Sequence, residues 1–553
     1  MAMTCWHGKY WFIRQNARML RSLRGRAHRF PKNVQIMTSK KIVKPGTSWR
    51  EVLARAQHAV PAAWEGPNKS LLNLIGGKWC EPGRPRMLFS PIDGTPLGPY
   101  PMIDLEAAKE AVNLSAAEAG EWGKTGIAER RRRVAACVAQ LRDHRELLAF
   151  LLVWEIGKPY HQALTSVDRC IGGVEWYTEN IDGMLGERKP LGLISNVASW
   201  NYPMSVLVHS LLVQMLCGNS VIAKTPTDGG IFSLTLALGL ARQCGLPVSL
   251  VSGSGSRLSE ALVRNDEIAC LAFVGGKSNG GKIAASLYDQ NKRYMLEMEG
   301  VNTYGIWSFR DFAGLAQQLR KGFAYGKQRC TAYPRYVIQR DLLPKFLATY
   351  LPMLQSLRFG HPLLVEHEDD PLPDIDFGPL INRAKVDELH VRLSAAKGLG
   401  AMSLYEGELD ENMFLPGQEI SAYLPPTVLI DLPRNCDLYH REPFGPVDSI
   451  VVVDTVDEMI AEMNISGGAL AASLATDDLA IAHQVQDQIR AFKFGLNKVR
   501  SRGDREEPFG GIGGSWKGCF VGGKYLVEAV SAGTPGERLH GNFPDYALLP
   551  ESR

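Results

Sequence analysis

Short, uninterrupted apolar runs alternate with helix-like segments through the middle of the chain. The runs are LGLISNV (191–197), SVIAK (220–224), SLVSG (249–253) and CLAFVG (270–275). The helical patterns between them cover 204–217, 231–243 and 256–265. Strands that lack alternating polar residues must be covered on both faces, so this pattern predicts a parallel sheet flanked by helices. It restricts the region to an α/β fold.

A second set of β-type runs follows. These are RYVIQ (335–339), TVLIDL (427–432), SIVVVDTV (449–456) and LAASLAT (470–476), with helical patterns near 344–356 and 383–397. Single hydrophobic cores stop growing at about 250–300 residues, and this chain has 553. We therefore predict two α/β lobes, and we expect the segment 360–376 to be an exposed loop.

Residues 190–223 contain no Asp, Glu, Lys or Arg, which raises the question of a membrane span. Polar residues and a proline interrupt the stretch, and its cleanest helical part, 204–217, is only 14 residues long. A bilayer requires about 20 apolar residues in a helix. We expect a strand, a loop, a buried helix and a second strand here, and no membrane segment.

The charges are unevenly distributed along the chain. The first 50 residues hold twelve Lys or Arg and no acidic residue, whereas the remainder carries 50 basic and 58 acidic side chains. An acidic body gives no support for binding to nucleic acid or to an anionic membrane. The basic leader has the composition of an organellar transit peptide. It also fits an extension upstream of a start at Met37, which we favour and which predicts a cytoplasmic protein.

Ten cysteines are scattered so that no two lie within four residues of each other. This spacing excludes a zinc knuckle and a CxxC redox pair, predicts no metal site, and is typical of reduced thiols in a cytosol-like compartment. Cys330 stands out because Lys327, Arg329 and Arg335 lie close to it in the sequence. Positive neighbours favour a thiolate, which makes Cys330 a candidate nucleophile.

Two further polar residues stand in apolar surroundings. Glu297 in LEMEG (296–300) ends an apolar run, where loss of solvent would make it a stronger base. Asn201 in ASWNYP (198–203) lies within the uncharged stretch, and its amide could donate a hydrogen bond to a developing oxyanion. With Cys330, these residues form the candidate catalytic set.

The segment 270–290 predicts a strand, a glycine-rich turn and a helix, which together can hold a phosphate at the helix N-terminus. Residues 276–282 fit GxxxxGK, but Ile283 follows where a P-loop has a hydroxyl residue. Residues 276–280 fit the GxSxG elbow of serine hydrolases, with Ser278 as nucleophile. A dinucleotide site without GxGxxG spacing is the third interpretation, and a plain βα turn is the fourth. The turn alone leaves them open.

Eight motifs occur in the order in which the aldehyde dehydrogenase superfamily carries them, across about 71–535. They are EIGKP (155–159), ASWNYP (198–203), AKTP (223–226), FVGG (273–276), LEMEG (296–300), GKQRC (326–330), REPFGPV (441–447) and EPFGG (507–511). The chain thus resembles this NAD(P)-dependent family. The resemblance implies two Rossmann-like α/β domains, one for the cofactor and one for catalysis, with a small oligomerisation element.

The resemblance also implies a division of the chain and an assembly as a homodimer or homotetramer. The parts would be a basic extension (1–70), a dinucleotide-binding domain (71–296) with a short oligomerisation hairpin near 176–190, a catalytic domain (297–505), and a C-terminal tail (506–553) that returns to the cofactor and oligomerisation region.

By resemblance, Cys330 attacks an aldehyde, and the Asn201 side chain with the Cys330 backbone N–H stabilises the oxyanion. Hydride transfer to NAD or NADP leaves a thioester, which water activated by Glu297 converts to the carboxylic acid. Tyr202 is either a wall of the substrate tunnel or an ordinary packed aromatic. The residues implied in cofactor binding are Trp200, Lys224 at the adenosine ribose, Gly275 and Gly276 at the pyrophosphate, Glu442 at the nicotinamide ribose and Phe444 beside the nicotinamide.

Several positions depart from the family pattern. Glu299 and Val301 replace a Gly and a Lys of the usual ELGGK, and Lys327 replaces a Gly, which would put an ammonium close to the nucleophile. Gly276 stands where a Ser or Thr commonly binds the pyrophosphate. Thr227 falls where NAD-preferring members carry a Glu, so the use of NADP is open.

We expect an NAD(P)-dependent oxidation of an aldehyde to its carboxylic acid, and no motif identifies the aldehyde. Two rival functions remain. In a CoA-acylating relative, CoA rather than water would attack the thioester, and the presence of Glu297 argues against it. In a catalytically weakened relative, the altered LEMEG and GKQRC loops would keep the fold and the dinucleotide site while reducing turnover.

Overall fold

The computed structural model describes residues 41–66, 70–81, 83–290, 292–500 and 504–543. The transit-peptide and Met37 predictions lie outside these residues. The described chain forms two large sheets, which carry the apolar runs recognised in the sequence.

The first sheet has nine strands among the described residues, with parallel pairing at its centre. Neighbouring residues of one strand enter different cores, since Val221 and Ala223 pack on one side and Ile222 on the other. This two-sided burial explains the uninterrupted apolar runs. In spatial order the strands are Gly541–Asn542, Trp516–Cys519, Arg293–Met298, Ile268–Gly275, Leu193–Val197, Ser220–Lys224, Val248–Val251, Asn73–Ile75 and Lys78–Cys80.

The second sheet has seven strands among the described residues. They pair in parallel, apart from the antiparallel edge strand. Here too the faces alternate, with Ile338 and Val337 in separate cores. In spatial order the strands are Met402–Glu406, Thr427–Ile430, Val447–Val453, Arg335–Gln339, Thr303–Ile306, Ala469–Ala475 and Ala491–Leu496.

The helices cover the sheets, and several begin where the sequence supplies a capping side chain. Asp104 accepts a hydrogen bond from the backbone N–H of Ala107, and Asn382 accepts one from that of Lys385. The α-helices of the described residues are Trp49–Ala59, Leu105–Trp122, Ile127–Asp143, Arg145–Ile156, Tyr160–Leu185, His209–Leu216, Ile231–Gln243, Lys277–Ser286, Phe312–Gly322, Leu343–Gln355, Arg383–Gly398, Asp437–His440, Val456–Met463, Leu479–Gln488 and Gly523–Ala529.

The uncharged stretch folds in the predicted order. Strand Leu193–Val197 is followed by a π-helical turn, Pro203–Val208, the helix His209–Leu216 and the strand Ser220–Lys224. Within the described part of the chain, we find no helix with both the length and the apolar character that a bilayer crossing requires. The predicted helix at 256–265 is shorter than expected, since only Glu260–Arg264 forms a π-helical turn.

Two local expectations are wrong. The segment 360–376 is not an exposed loop throughout, because residues 361–365 are buried and Leu364–Val365 pairs antiparallel with Ile42–Val43. Its apolar side chains favour burial over a surface position. The segment 176–190 does not form a hairpin of its own.

A long helix takes the place of that hairpin. Tyr160–Leu185 is a single helix because its buried residues Val174, Tyr177, Ile181 and Leu185 recur at helical spacing. Beyond it, Lys189–Pro190 pairs antiparallel with Ser531–Ala532.

Candidate active site

A cavity of about 390 Å³ opens beside the first sheet. Its lining includes residues at or just beyond the carboxyl ends of three parallel strands, Leu193–Val197, Ile268–Gly275 and Arg293–Met298. Ligands of α/β sheets bind at this end of the strands. Cys330 also lines the cavity, and in the sequence it lies between two strands of the second sheet, Thr303–Ile306 and Arg335–Gln339.

The structure brings nearly all the predicted site residues to this cavity. Lys224 is the exception, since it is buried beside the cavity and its Nζ donates to the carbonyl oxygen of Thr225 at 2.6 Å. Burial lowers the pKa of Lys224 to about 8. The predicted residues that line the cavity are Cys330, Glu297, Asn201, Trp200, Tyr202, Gly275, Gly276, Glu442 and Phe444.

The Cys330 thiol and the Glu297 side chain line the same cavity, and Glu297 is among the groups that shift the pKa of this thiol. Burial raises the pKa of this thiol well above its ordinary value, and the negative charge of Glu297 raises it further. Arg329 lowers it, but its effect is the smallest. The surroundings of Cys330 therefore favour the thiol over the thiolate, contrary to the expectation from its positive neighbours in the sequence.

The other two cations near Cys330 in sequence point away from it. The Nζ of Lys327 lies 2.5 Å from Oδ1 of Asp448, in the second sheet. The guanidinium of Arg335 donates to the carbonyl oxygen of Tyr439 and lies over its ring. The expectation that Lys327 places an ammonium near the nucleophile is wrong, because the ammonium is paired with Asp448 and is not among the charges that shift the pKa of Cys330.

Asn201 faces the nucleophile segment. Its Nδ2 donates to the carbonyl oxygen of Gln328 at 3.0 Å, and its own carbonyl oxygen accepts from Nζ of Lys158 at 2.8 Å. The Lys158 ammonium also lies 3.9 Å from the centre of the Tyr202 ring and 4.6 Å from that of Tyr325. The EIGKP lysine thus holds the ASWNYP loop against the segment that carries Cys330.

The glycine turn and Glu442 suit a dinucleotide. Gly276 precedes the helix Lys277–Ser286, whose N-terminus has no side-chain cap, so its N–H groups are available to a phosphate. A Cβ on Gly275 would meet the Phe273 ring at 2.6 Å. Glu442 is buried, and neither of its carboxylate oxygens has a hydrogen-bond partner among the described residues. Such a group suits ribose hydroxyls as donors.

The structure does not favour the serine hydrolase or the P-loop interpretation of the glycine turn. Ser278 is exposed on the helix and does not line the cavity, so it lacks the setting of a hydrolase nucleophile. Lys282 is also exposed. The dinucleotide interpretation agrees best with the geometry.

Several cavity residues were not singled out from the sequence as site residues. Asp228, Lys385 and Glu388 line the cavity, and Lys385 pairs with Glu388 at 3.0 Å. Asn382, which caps the helix Arg383–Gly398, marks this region as a helix start, and that was the available signal. Glu299, noted only as a departure from the family, lines the cavity within 3.9 Å of the position that a Cβ on Gly276 would take.

A second, smaller cavity has a volume of about 60 Å³. Glu297 lines both cavities, and polar side chains of Asn196, His209 and Ser210 line the smaller one. A water needs about 10–15 Å³ of such space. The smaller cavity can therefore hold water next to the carboxylate.

Comparisons with known proteins point to one family. The aldehyde dehydrogenase family model matches residues 79–532. The NADP/NAD-dependent aldehyde dehydrogenase PuuC of Escherichia coli is 28% identical over 438 residues, which cover 75% of this chain and 84% of that protein. The mitochondrial succinate-semialdehyde dehydrogenase of Oryza sativa is 25% identical over 480 residues, covering 82% of this chain and 87% of that protein.

Solved structures share the fold. The betaine aldehyde dehydrogenase of Staphylococcus aureus, in complex with NAD+, has a TM-score of 0.77 at 21% identity and covers 87% of this chain and 96% of its own. The NADP-dependent glyceraldehyde-3-phosphate dehydrogenase of Bacillus halodurans, complexed with NADP, has a TM-score of 0.75 at 24% identity and covers 84% and 98%. The predicted α/β fold with two Rossmann-like domains is confirmed.

Proposed function

The chain belongs to the aldehyde dehydrogenase family, and on this basis we propose that it oxidises an aldehyde to the carboxylic acid with NAD or NADP, using Cys330 as nucleophile. The observation that carries the proposal is that Cys330, Glu297 and Asn201 line one cavity. A nucleophile, a base and an amide donor converge there, as acyl-transfer chemistry requires.

In the proposed reaction, the Cys330 thiol releases its proton to solvent and the sulfur adds to the aldehyde carbonyl, which gives a thiohemiacetal oxyanion. The Asn201 amide and the Cys330 backbone N–H are the donors proposed for the oxyanion. When bound, the oxidised nicotinamide supplies the hydride acceptor. Loss of the hydride leaves a Cys330 thioester, and Glu297 takes a proton from the water that releases the acid and restores the thiol.

The proposed cofactor contacts follow from the cavity. Gly275 and Gly276 would hold the pyrophosphate at the open helix N-terminus, and Glu442 would accept from the ribose hydroxyls. Trp200 and Phe444, whose rings make an edge contact at 5.9 Å, would flank the nicotinamide. Lys224 would reach the adenosine ribose only by leaving the carbonyl oxygen of Thr225.

The test is NAD(P)H formation over a panel of aldehydes with both cofactors. We expect turnover by the wild-type chain and none by Cys330→Ala, because no other cysteine of the described residues lines the cavity. Cys519→Ala, which removes a buried thiol that does not line the cavity, is the matched control and should keep turning over. Activity in Cys330→Ala equal to wild type would refute the assignment.

Glu297→Gln should separate the two halves of the reaction. The first hydride transfer should survive as a burst of one NAD(P)H per site, while steady turnover falls about 100-fold or more, within the range of general-base effects. The burst should also reach its limiting rate at lower pH, because the charge that raises the pKa of Cys330 is gone. Rapid-mixing absorbance at several pH values measures both. Unchanged steady turnover would remove Glu297 from the mechanism.

One observation favours a second candidate, a dinucleotide-binding relative with weak turnover. Glu299 places a carboxylate beside Gly276, where the proposed pyrophosphate would lie. No NAD(P)H formation by the wild-type chain with any aldehyde of the panel and either cofactor would favour this candidate. Formation of acyl-CoA on addition of CoA would instead favour the CoA-acylating relative.

The assembly and the compartment of the chain are inferred from its sequence. We propose a homodimer or homotetramer, which sedimentation of the purified chain would test. A cytoplasmic location agrees with the cysteines, since none of the nine in the described residues forms a disulfide.

A further inference from the structure

The turn that precedes the nucleophile has an unusual backbone. Tyr325, Gly326 and Lys327 have φ values of +60°, +58° and +58°. Side chains with a Cβ disfavour this left-handed region, and glycine enters it freely. Lys327 nevertheless occupies the last of the three positions, only three residues before Cys330. Some interaction of its side chain must stabilise this conformation.

The ammonium of Lys327 supplies that interaction. Lys327 is 1% exposed, and its Nζ donates to Oδ1 of Asp448 at 2.5 Å, to the carbonyl oxygen of Tyr333 at 2.9 Å and to the hydroxyl of Tyr336 at 3.1 Å. An ammonium has three N–H groups, so these partners use them all. Its nitrogen also lies 4.2 Å from the centre of the Phe323 ring.

Two of these partners, Asp448 and Tyr336, lie at the centre of the second sheet. Asp448 is in the strand Val447–Val453, which pairs with Arg335–Gln339, the strand of Tyr336. The second oxygen of Asp448 accepts from the hydroxyl of Tyr350, so both carboxylate oxygens are bonded. The turn is thus attached to a rigid and fully bonded group.

The next residue is held from the opposite side. The carbonyl oxygen of Gln328 accepts a hydrogen bond from Nδ2 of Asn201. The Gln328 side chain donates to the carbonyl oxygen of Pro379 and accepts from the backbone N–H of Ile381. Further along, Nδ2 of Asn302 donates to the carbonyl oxygen of Cys330 at 2.8 Å. The cation that lowers the pKa of Cys330 is Arg329, whereas the Lys327 ammonium forms an ion pair with Asp448.

We propose that Lys327 is a positioning residue, whose buried ammonium on Asp448 holds the left-handed turn and thereby fixes the Cys330 sulfur and backbone N–H relative to Asn201. The inference rests on the proposed function, because it takes Cys330 as the nucleophile. Lys327 acts through geometry and not through its field at the sulfur. The Lys327–Asp448 pair stabilises a left-handed backbone conformation that glycine would adopt without such a contact.

The test compares Lys327→Met, Asp448→Asn and the double variant Lys327→Gly/Asp448→Asn in the full chain. For Lys327→Met we expect kcat to fall at least tenfold, the Kd for NAD(P)+ to stay within twofold, and the pH midpoint of the burst to stay in place. The double variant should recover part of the lost kcat, because glycine adopts the turn without a Cβ and no buried charge remains alone. Lys397→Met, which breaks an exposed ion pair with Glu406, is the matched control.

Alkylation of Cys330 by iodoacetamide, followed by peptide mass spectrometry with Cys330→Ala as background, is the readout that needs no dehydrogenase activity. We expect its rate to change at least threefold in Lys327→Met. A folded Lys327→Met with wild-type kcat and alkylation rate would overturn the inference. So would a shifted pH midpoint at an unchanged limiting rate, since it would show an electrostatic role.

Tyr350→Phe keeps the proposal testable if Lys327→Met does not fold. It removes one bond to Asp448 and leaves Lys327 in place, and we expect a two- to fivefold loss of kcat with an unchanged Kd for NAD(P)+. Wild-type kcat in this variant, with Asp448→Asn equally active, would overturn the inference. A wild-type chain without dehydrogenase activity whose alkylation rate still depends on Lys327 would refute the proposed function alone.

Discussion

Glu442 and Asp448 are two buried carboxylates six residues apart in the same segment, and their surroundings are opposite. Asp448 bonds Lys327 and Tyr350 through its two oxygens. Glu442 has no hydrogen-bond partner for either oxygen among the described residues, and it faces the large cavity. Burial raises the pKa of both groups.

The difference separates two uses of a buried charge. A carboxylate whose bonds are satisfied within the protein holds elements together, and its removal leaves a partner stranded. A buried carboxylate without hydrogen-bond partners destabilises the ligand-free protein, and it is a candidate to accept hydrogen bonds from a bound ligand. On this comparison, Asp448 belongs to the support of the nucleophile and Glu442 to the proposed cofactor site.

The largest effect is expected when the Lys327–Asp448 pair, which supports the nucleophile segment, is broken. Asp448→Ala leaves the Lys327 ammonium buried without a counter-charge, so we expect the free energy of unfolding to fall by about 3–5 kcal/mol. Urea denaturation followed by tryptophan fluorescence measures it. The control Glu406→Ala removes the partner of the exposed Lys397, where we expect a loss of less than about 1 kcal/mol. Equal losses of unfolding free energy in the two variants would contradict a structural role for the buried Asp448.

The next effect has the opposite sign. Glu442→Gln should raise the free energy of unfolding by about 1–2 kcal/mol at pH 8, because it removes a buried charge without a hydrogen-bond partner. The same change should weaken NAD(P)+ binding about tenfold. Denaturation and fluorescence titration give the two quantities. A destabilised Glu442→Gln would show that the carboxylate has a structural partner.

The gain in Glu442→Gln should depend on pH in a fixed direction. A carboxyl whose pKa is raised by folding holds its proton more tightly in the folded chain, so its contribution to stability is lost as pH rises above the unfolded value of about 4.3. Glutamine does not titrate. The stability difference between variant and wild type should therefore be small at pH 5 and should grow towards pH 8. A difference constant with pH would contradict the burial of an ionised Glu442.

The smallest effect concerns the neighbour of Glu442. Glu299 lines the same cavity, and its charge helps to raise the pKa of Glu442. Glu299→Gly removes a negative charge from the proposed path of the pyrophosphate, and about 1 kcal/mol of repulsion corresponds to roughly fivefold tighter NAD(P)+ binding. Titration of the Trp200-containing cavity by fluorescence would measure it. Weaker binding would show that Glu299 itself holds the cofactor.

The sheets could be predicted from the sequence because their strands are continuous apolar runs, as in Ser220–Lys224, where every residue is buried. Motif residues such as Glu297, Asn201 and Cys330 could be gathered into one candidate site because family order places them, and the structure brings them to one cavity. Both kinds of prediction rest on signals that are local in the sequence.

What escaped prediction depends on distant partners. The direction of the Lys327 side chain is decided by Asp448, and neither residue alone reveals it. The buried pairing of Leu364–Val365 needs Ile42–Val43, more than 300 residues away. Lys224 is an exception, because its ammonium bonds the carbonyl oxygen of the next residue, Thr225. A local pattern cannot rank such alternatives.

The attachment of Lys327 to Asp448 spans 121 residues, and that of Asn201 to Gln328 spans 127. Contacts so far apart in the chain require large loops to close, and they form only once other pairings compensate the lost entropy. We expect the nucleophile to reach its final geometry among the last events of folding. A chain with only its first sheet assembled would lack both attachments, so we expect the alignment of Cys330 with Asn201 to be acquired only with the complete fold.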